Sequence, residues 1–317
     1  MRAIKRAMGK SWAGSGRPRA DGCQGAADER GFIIVAVLWI LGLLAALVSI
    51  YAVYVSNAAL SVSVYDDRLQ AEALTSSAVE LAAYQLIATD EKSRPTQGHF
   101  TLRMGRAGIA VDFRSEAARI DLNAAPKPLL AGLFAGLGAE YSQAEYYADR
   151  IIGWRSKAKD GGLDSEADAY RTAGLNYAPR LGPFASVGEL WLVLGLPPAL
   201  VEHALPFVTV FSAMPTVNIM DASPEVIAAL PGMSSDRLYA ILSQRGSGAQ
   251  NAQFVLNLAG PARASATVEG SKASRVSVAV NFDNGRRVTA EAVILPKTNG
   301  DKPFNILYWR DDFDGPA

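Results

Sequence analysis

Side chains able to do chemistry are sparse and scattered in this 317-residue chain. His99 and His203 are the only histidines, and neither has a Cys or a second His nearby in sequence to build a zinc site. Gly9-Lys10-Ser11 imitates the end of a phosphate-binding loop. The first glycine of such a loop would fall at Ile4, and no strand precedes it. Cys23 is the single cysteine, so no intrachain disulfide can form. The one grouping with ligand-like spacing is Asp160, Asp164, Glu166 and Asp168. These carboxylates are spaced as oxygen ligands for calcium, which takes about 6–8 oxygens; a solvated acidic loop is the other reading. The inventory argues against an enzyme.

The elements around these residues are more informative. Arg30-Gly31-Phe32 opens an apolar run that lasts to Val55, with no charge until Asp66. A spanning helix needs roughly 20 apolar residues, so residues 32–55 can cross a bilayer once. A secretory signal has a shorter apolar core, about 7–15 residues. Residues 1–31 carry seven basic groups against three acidic ones, and positive charge beside a first hydrophobic segment keeps that flank in the cytoplasm. The chain after the run then lies on the far side, single-pass, in the periplasm. Residues 32–317 hold 24 basic and 28 acidic groups, which is not the charge of a polyanion binder.

The apolar run continues without proline into an amphipathic stretch. Leu60, Val64, Leu74, Ala78, Leu81 and Ile87 fit one helical stripe, which predicts one helix from Phe32 to about Thr89. Alternation at Phe100–Met104 and Ile109–Phe113, around Gly105 and Gly108, predicts a strand pair, with Arg119–Leu122 as a third strand. Residues 124–260 read as mostly helical, with a polar loop over 160–183. Strands return at Ser274–Phe282, Arg287–Leu295 and Phe304–Trp309. Strands that flank a helical insert can rejoin as one sheet packed on the long helix.

The insert contains an internal repeat. Asp121-Leu-Asn-Ala-Ala-Pro and Asn218-Ile-Met-Asp-Ala-Ser-Pro each precede a helix, a turn and a second helix, closing on Arg155 and Arg245. Leu230-Pro-Gly-Met-Ser-Ser235 resembles the start of a helix-hairpin-helix element. That gives a second functional reading, a membrane-anchored periplasmic DNA-binding protein. Such hairpins need a further Gly where Ser234 stands, and no basic patch accompanies it. A packing module without nucleic acid is the simpler reading.

Taken together, these features resemble the type II secretion system protein K (GspK) family of minor pseudopilins. The residues carrying the resemblance are Gly31-Phe32, the long helix, Phe184-Ala-Ser-Val-Gly-Glu-Leu190 leading to Gly195, Leu205-Pro-Phe-Val-Thr-Val210, and Asn218-Ile-Met-Asp-Ala-Ser-Pro-Glu-Val226. The resemblance implies an α+β fold: a pilin-like long N-terminal helix packed on an antiparallel sheet, with a large helical insert of SAM-like or helix-hairpin-like type. The expected divisions are a leader at 1–31, a transmembrane part at 32–55, the first half of the pilin-like domain at 56–122, the insert at 123–260 and the returning strands at 261–317. It also implies cleavage between Gly31 and Phe32 by a prepilin peptidase, with methylation of the new amine. Ordinary pilins carry Glu at the fifth mature position. Here that position is Ala36, which the resemblance connects with a tip subunit. The implied partners are minor pseudopilins I and J and inner-membrane platform proteins, and the implied location is the inner membrane. The resemblance implies calcium in relatives, although Arg155–Lys159 lacks the early acids of their loop.

Overall fold

The structure, a computed structural model, describes residues 28–90, 93–157, 165–247, 251–297 and 302–313. The chain divides into two compact units, Met1–Asp66 and Asp67–Ala317. Helix α1 is Asp28–Ile87. In the first unit its stretch Phe32–Ala58, 27 residues, is long and apolar enough to cross a membrane, and side chains there are almost all exposed. Exposure of Phe, Ile, Leu and Trp side chains all round the helix fits lipid as the solvent.

In the second unit, the last part of α1 buries Ala71, Ala78, Val79, Ala82, Ala83 and Leu86. Small residues at these spacings let the helix lie close on a sheet. The expected stripe is corrected at Leu81, which is 37% exposed. Alanines, not the leucine, face the core. The sheet has five strands: β1 Gln97–Met104, β2 Ala107–Ser115, β7 Ser274–Phe282, β8 Arg287–Pro296 and β9 Phe304–Asp312. Its order is β1-β2-β7-β8-β9, antiparallel throughout. Period-2 alternation puts Ile109, Val111, Phe113, Val276, Val278, Val280, Ala290 and Ala292 in one core with α1. Gly105 and Gly285 take φ of +59° and +85° in the two tight turns, where any Cβ would be strained.

The strands on either side of the insert do rejoin. Ser115 at the end of β2 pairs with Ser274 at the start of β7, so the whole excursion from 116 to 273 leaves and returns at one point. That span is wider than 123–260. The third strand expected in the main sheet is elsewhere. A turn at Glu116–Ala118, capped by the Ser115 hydroxyl, deflects the chain, and β3 Ile120–Asp121 pairs in parallel with β4 Val208–Thr209. β7 already fills the place beside β2.

The insert has its own core, built on Leu129, Leu130, Phe134, Ile151, Trp154, Tyr170, Leu190 and Ile219. Its helices are α2 Lys127–Gly136, α3 Tyr141–Arg155, α4 Ser165–Thr172, α5 Pro198–Ala204, α6 Pro224–Ala228, α7 Ser235–Gln244 and α8 Ala252–Leu258. Helix α4 corrects the expected loop at 160–183. Ala167, Ala169 and Tyr170 give it an apolar side that the Gly/Asp-rich flank obscures. Strands β5 Val217–Asn218 and β6 Ala266–Thr267 form a second parallel pair.

Candidate functional site

The Gly31–Phe32 bond lies in the first turn of α1. Phe32 is 76% exposed. Ala36 is four residues on, one turn along the same helix face, and offers only a methyl group there.

The four carboxylates with calcium spacing divide. Asp160 and Asp164 lie outside the described residues. Glu166 is buried and pairs with Arg150 at 3.1 Å, and Asp168 pairs with Arg171 at 2.6 Å. Both described carboxylates therefore already face guanidinium groups. Among the described residues, no group of three or more His, Cys, Asp or Glu could hold a metal. Gly153 has no side chain because a Cβ there would meet the Glu166 carboxylate, which anchors α4 to α3.

The stretch Phe184–Leu190 has a structural task. Phe184 stacks on Trp154, with ring centroids 6.0 Å apart. The Asn123 side chain grips the Phe184 backbone, donating to its carbonyl at 3.0 Å and accepting from its N–H at 2.7 Å. One Glu189 carboxylate oxygen accepts from Trp154 Nε1 at 3.0 Å; the other accepts from Arg180 at 2.9 Å and from the Ala185 N–H at 3.1 Å. Tyr170 packs against Trp154, and its hydroxyl accepts from the Leu194 N–H at 2.8 Å. Burial pushes the Tyr170 phenol up to about 12.

The internal repeat recurs in space. The Asp121 carboxylate accepts from the Asn123 N–H at 2.7 Å, and the Asn218 amide oxygen accepts from the Met220 N–H at 2.9 Å. Leu122 N–H donates to the Thr209 carbonyl, and Ile219 N–H to that of Thr267. Arg155 donates to the Leu122 and Ala125 carbonyls at 2.5 and 2.7 Å, and Arg245 to the Ala222 carbonyl at 2.6 Å. Ala125 and Ala222 hold the same place in the two copies. The repeated arginines therefore close the module on itself. In the hairpin-like turn, Gly232 at φ +76° packs against Pro261, so the turn that would meet a phosphate is engaged with its own chain.

Sequence reasoning missed a charge network joining the insert to the sheet. Glu116, 1% exposed, pairs with Arg275 at 2.7 Å and also accepts from the Thr209 hydroxyl. Arg275 reaches Glu291 at 2.5 Å. Burial works against the Arg275 charge, but Glu116 and Glu291 outweigh it and raise its pKa. Arg119 stands beside this group, and burial followed by the charge of Arg275 lowers its pKa. Asp121 and Asp221 are both raised, chiefly by burial. The available signal was Arg275 opening an otherwise valine-rich alternating strand.

The fold and the junction define a class: a membrane-anchored protein with a pilin-like helix-and-sheet head, enlarged by a helical insert. Residues 113–213 match the family model described as type II secretion system (T2SS), protein K. Among solved structures, the chain is similar to one in the crystal structure of the GspK-GspI-GspJ complex from the enterotoxigenic Escherichia coli type 2 secretion system. The TM-score is 0.55 at 18% identity, covering 77% of this chain and 96% of that one. No curated protein matches by sequence. The match over residues 113–213 and the shared fold support kinship with protein K, a minor pseudopilin of the type II secretion system.

Proposed function

We propose that this protein forms the tip of a periplasmic pseudopilus and helps to start its assembly. The observation that carries the reading is the placement of the insert. It leaves and re-enters the sheet at the Ser115–Ser274 pair, beside Thr96 on the segment that links the end of α1 to β1. A folded mass at the C-terminal end of the pilin-like helix obstructs any subunit that would stack there. Ala36 supports the same role. A cleaved N-terminus leaves an ammonium within the bilayer, where an unpaired charge is costly. A subunit with Ala at this place offers no carboxylate to a predecessor's ammonium, and the tip has no predecessor.

In this reading prepilin peptidase removes residues 1–31, Phe32 becomes the mature N-terminus, and the head joins minor pseudopilins corresponding to I and J. The transmembrane helix sits in the inner membrane beside the platform proteins. Two measurements test it. N-terminal sequencing of the membrane-extracted protein should begin at Phe32; a start at Met1, or beyond Ala58, removes the pseudopilin reading. The processed protein in detergent, mixed with its cognate I and J pseudopilins, should elute as a ternary complex; separate elution removes the tip model.

A further inference from the structure

The insert overhangs the outer face of the sheet, the face turned away from α1. Between them is a cleft of about 650 Å³. A smaller cleft of about 340 Å³ shares Gln97, Arg114 and Ser223 with it, so the two form one elongated groove. Arg119 and Arg275 line the first part, Arg245 the second, and Arg114 both. Pro206 and Phe207 of the insert form an apolar lip. Pro206 is exposed and Phe207 half-buried.

Asp112 and Glu116 line the first part and Asp221 the second, and this counter-charge is unevenly shared. Arg275 is taken up by Glu116 and Glu291. Arg245 donates to a neutral carbonyl. Among the described residues, the side chains of Arg114 and Arg119 make no hydrogen bond or ion pair, although Arg119 is half-buried. Burial and then the neighbouring Arg275 oppose the Arg119 charge and outweigh the pull of Glu116 and Glu291, and burial and Arg114 outweigh the pull of Asp221 on Arg245. A guanidinium is built to hold a carboxylate in a two-bond fork. A carboxylate entering here would offset the repulsion among these cations. A small inorganic anion would use the arginines alone, whereas the apolar lip and the length of the groove offer surface to carbon side chains.

We propose that this groove receives an acidic segment of another protein chain, with a Glu or Asp carboxylate held by Arg114 and Arg119 and a flanking apolar side chain against Pro206 and Phe207. The groove is formed within the head alone, so the inference does not rest on the tip reading.

The test is calorimetric titration of the full chain in detergent micelles. The probes are a blocked Ser-Leu-Glu-Phe-Ser peptide, its Gln counterpart and sodium sulfate. The acidic peptide should bind saturably, the Gln peptide at least about tenfold more weakly, and sulfate should compete. Arg119→Gln and Arg114→Gln should each lower peptide affinity about tenfold or more. The thermal midpoint of Arg119→Gln should stay level or rise, because burial and Arg275 outweigh the pull of Glu116 and Glu291 on its charge. Arg114 is exposed on a strand, so its substitution keeps the test decisive if the Arg119 variant does not fold. Equal affinity for the Glu and Gln peptides overturns the proposal, as does undiminished binding by Arg114→Gln. Saturable sulfate binding that the peptide cannot displace assigns the groove to a small anion and also overturns it. Either failure leaves cleavage at Phe32 and association with I and J unaffected.

Discussion

At the residue scale, the clearest constraint is where a side chain has no room. Gly132 in α2 lies against the backbone at the C-terminal end of α6, where an added Cβ would overlap the carbonyl oxygen of the next residue, Ala229. Gly132 and Ala229 occupy equivalent positions in the two repeated modules, so the modules meet at this contact. Gly132→Ala should destabilise by about 1–3 kcal/mol, the usual cost of overpacking. Gly136 has open space around it, and Gly136→Ala should be neutral or gain up to about 1 kcal/mol from helix propensity. Thermal melting of the two variants in detergent checks the contrast; equal midpoints would show that the helices separate freely. Asp221 makes a second residue-scale prediction. Burial raises its pKa above the ordinary aspartate value of about 3.8, so the folded state holds its proton more tightly than the unfolded chain. Its contribution to stability is therefore fully present below about that value. It is lost as pH rises through the folded pKa. Asp221→Asn keeps an acceptor for Asn218, which donates to it at 2.9 Å, and removes the buried charge. The variant should melt above wild type at pH 7.5 and converge with it near pH 4. A constant gap across that range would mean that Asp221 does not titrate there.

At the scale of elements, the network of Glu116, Arg275 and Glu291 fastens the insert to β7 and β8. Removing one partner of a buried pair leaves an uncompensated charge and costs about 3–5 kcal/mol. Glu116→Met should therefore lower stability by an amount of that order. Glu116→Met with Arg275→Met should recover most of it, since a buried pair exchanged for apolar groups is often neutral. A double variant as unstable as the single one would show that the hydrogen bond to Thr209, not charge balance, is what matters. Much of this level was legible beforehand. Period-2 valines marked β7 and β8, Ser223 and Ser234 marked two helix starts, and their hydroxyls do accept from Val226 and Arg237. The illegible parts have physical causes. Parallel pairs as short as β3–β4 and β5–β6 carry no periodicity, because two residues cannot show alternation. Helix α4 was hidden by polar neighbours, and α8 by the lack of a capping side chain. The Glu116 network required knowing that residues 159 positions apart meet, which no local pattern encodes. The Phe184–Leu190 stretch was recognised as a family feature, but its reason, the gripping of Trp154, appears only in three dimensions.

At the scale of the whole molecule, the head holds two hydrophobic cores that share no residue. The core of α1 and the sheet uses residues before 114 and after 275, and the core of the insert uses residues 120–266 together with partly buried side chains such as Val268. The chain leaves and re-enters the sheet at paired residues, Ser115 and Ser274, which a two-residue Asn-Gly turn can bridge in an antiparallel hairpin. Deleting 116–273 and inserting that turn should therefore leave a pilin-like head that still folds. Two outward-facing consequences need attention. Arg275 keeps Glu291 at 2.5 Å after losing Glu116, and Val293, fully buried on β8, is neighboured by Arg275 and Tyr308 in the sheet, so the deletion is best combined with Val293→Thr. The shortened protein should show a cooperative melt with the circular dichroism of sheet and helix. It should also insert in the membrane and begin at Phe32 after processing, because those steps read only the leader and the apolar run. If it aggregates or melts without cooperativity, the sheet depends on the insert and the two cores are one folding unit. If it folds and is processed, its effect on filament length becomes a direct measure of what the insert contributes. A tip role requires that a head without the obstruction no longer stops another subunit from stacking upon it, so filaments carrying the shortened protein with Ala36→Glu, which supplies the carboxylate for a predecessor's ammonium, should bury it within their length instead of showing it only at one end.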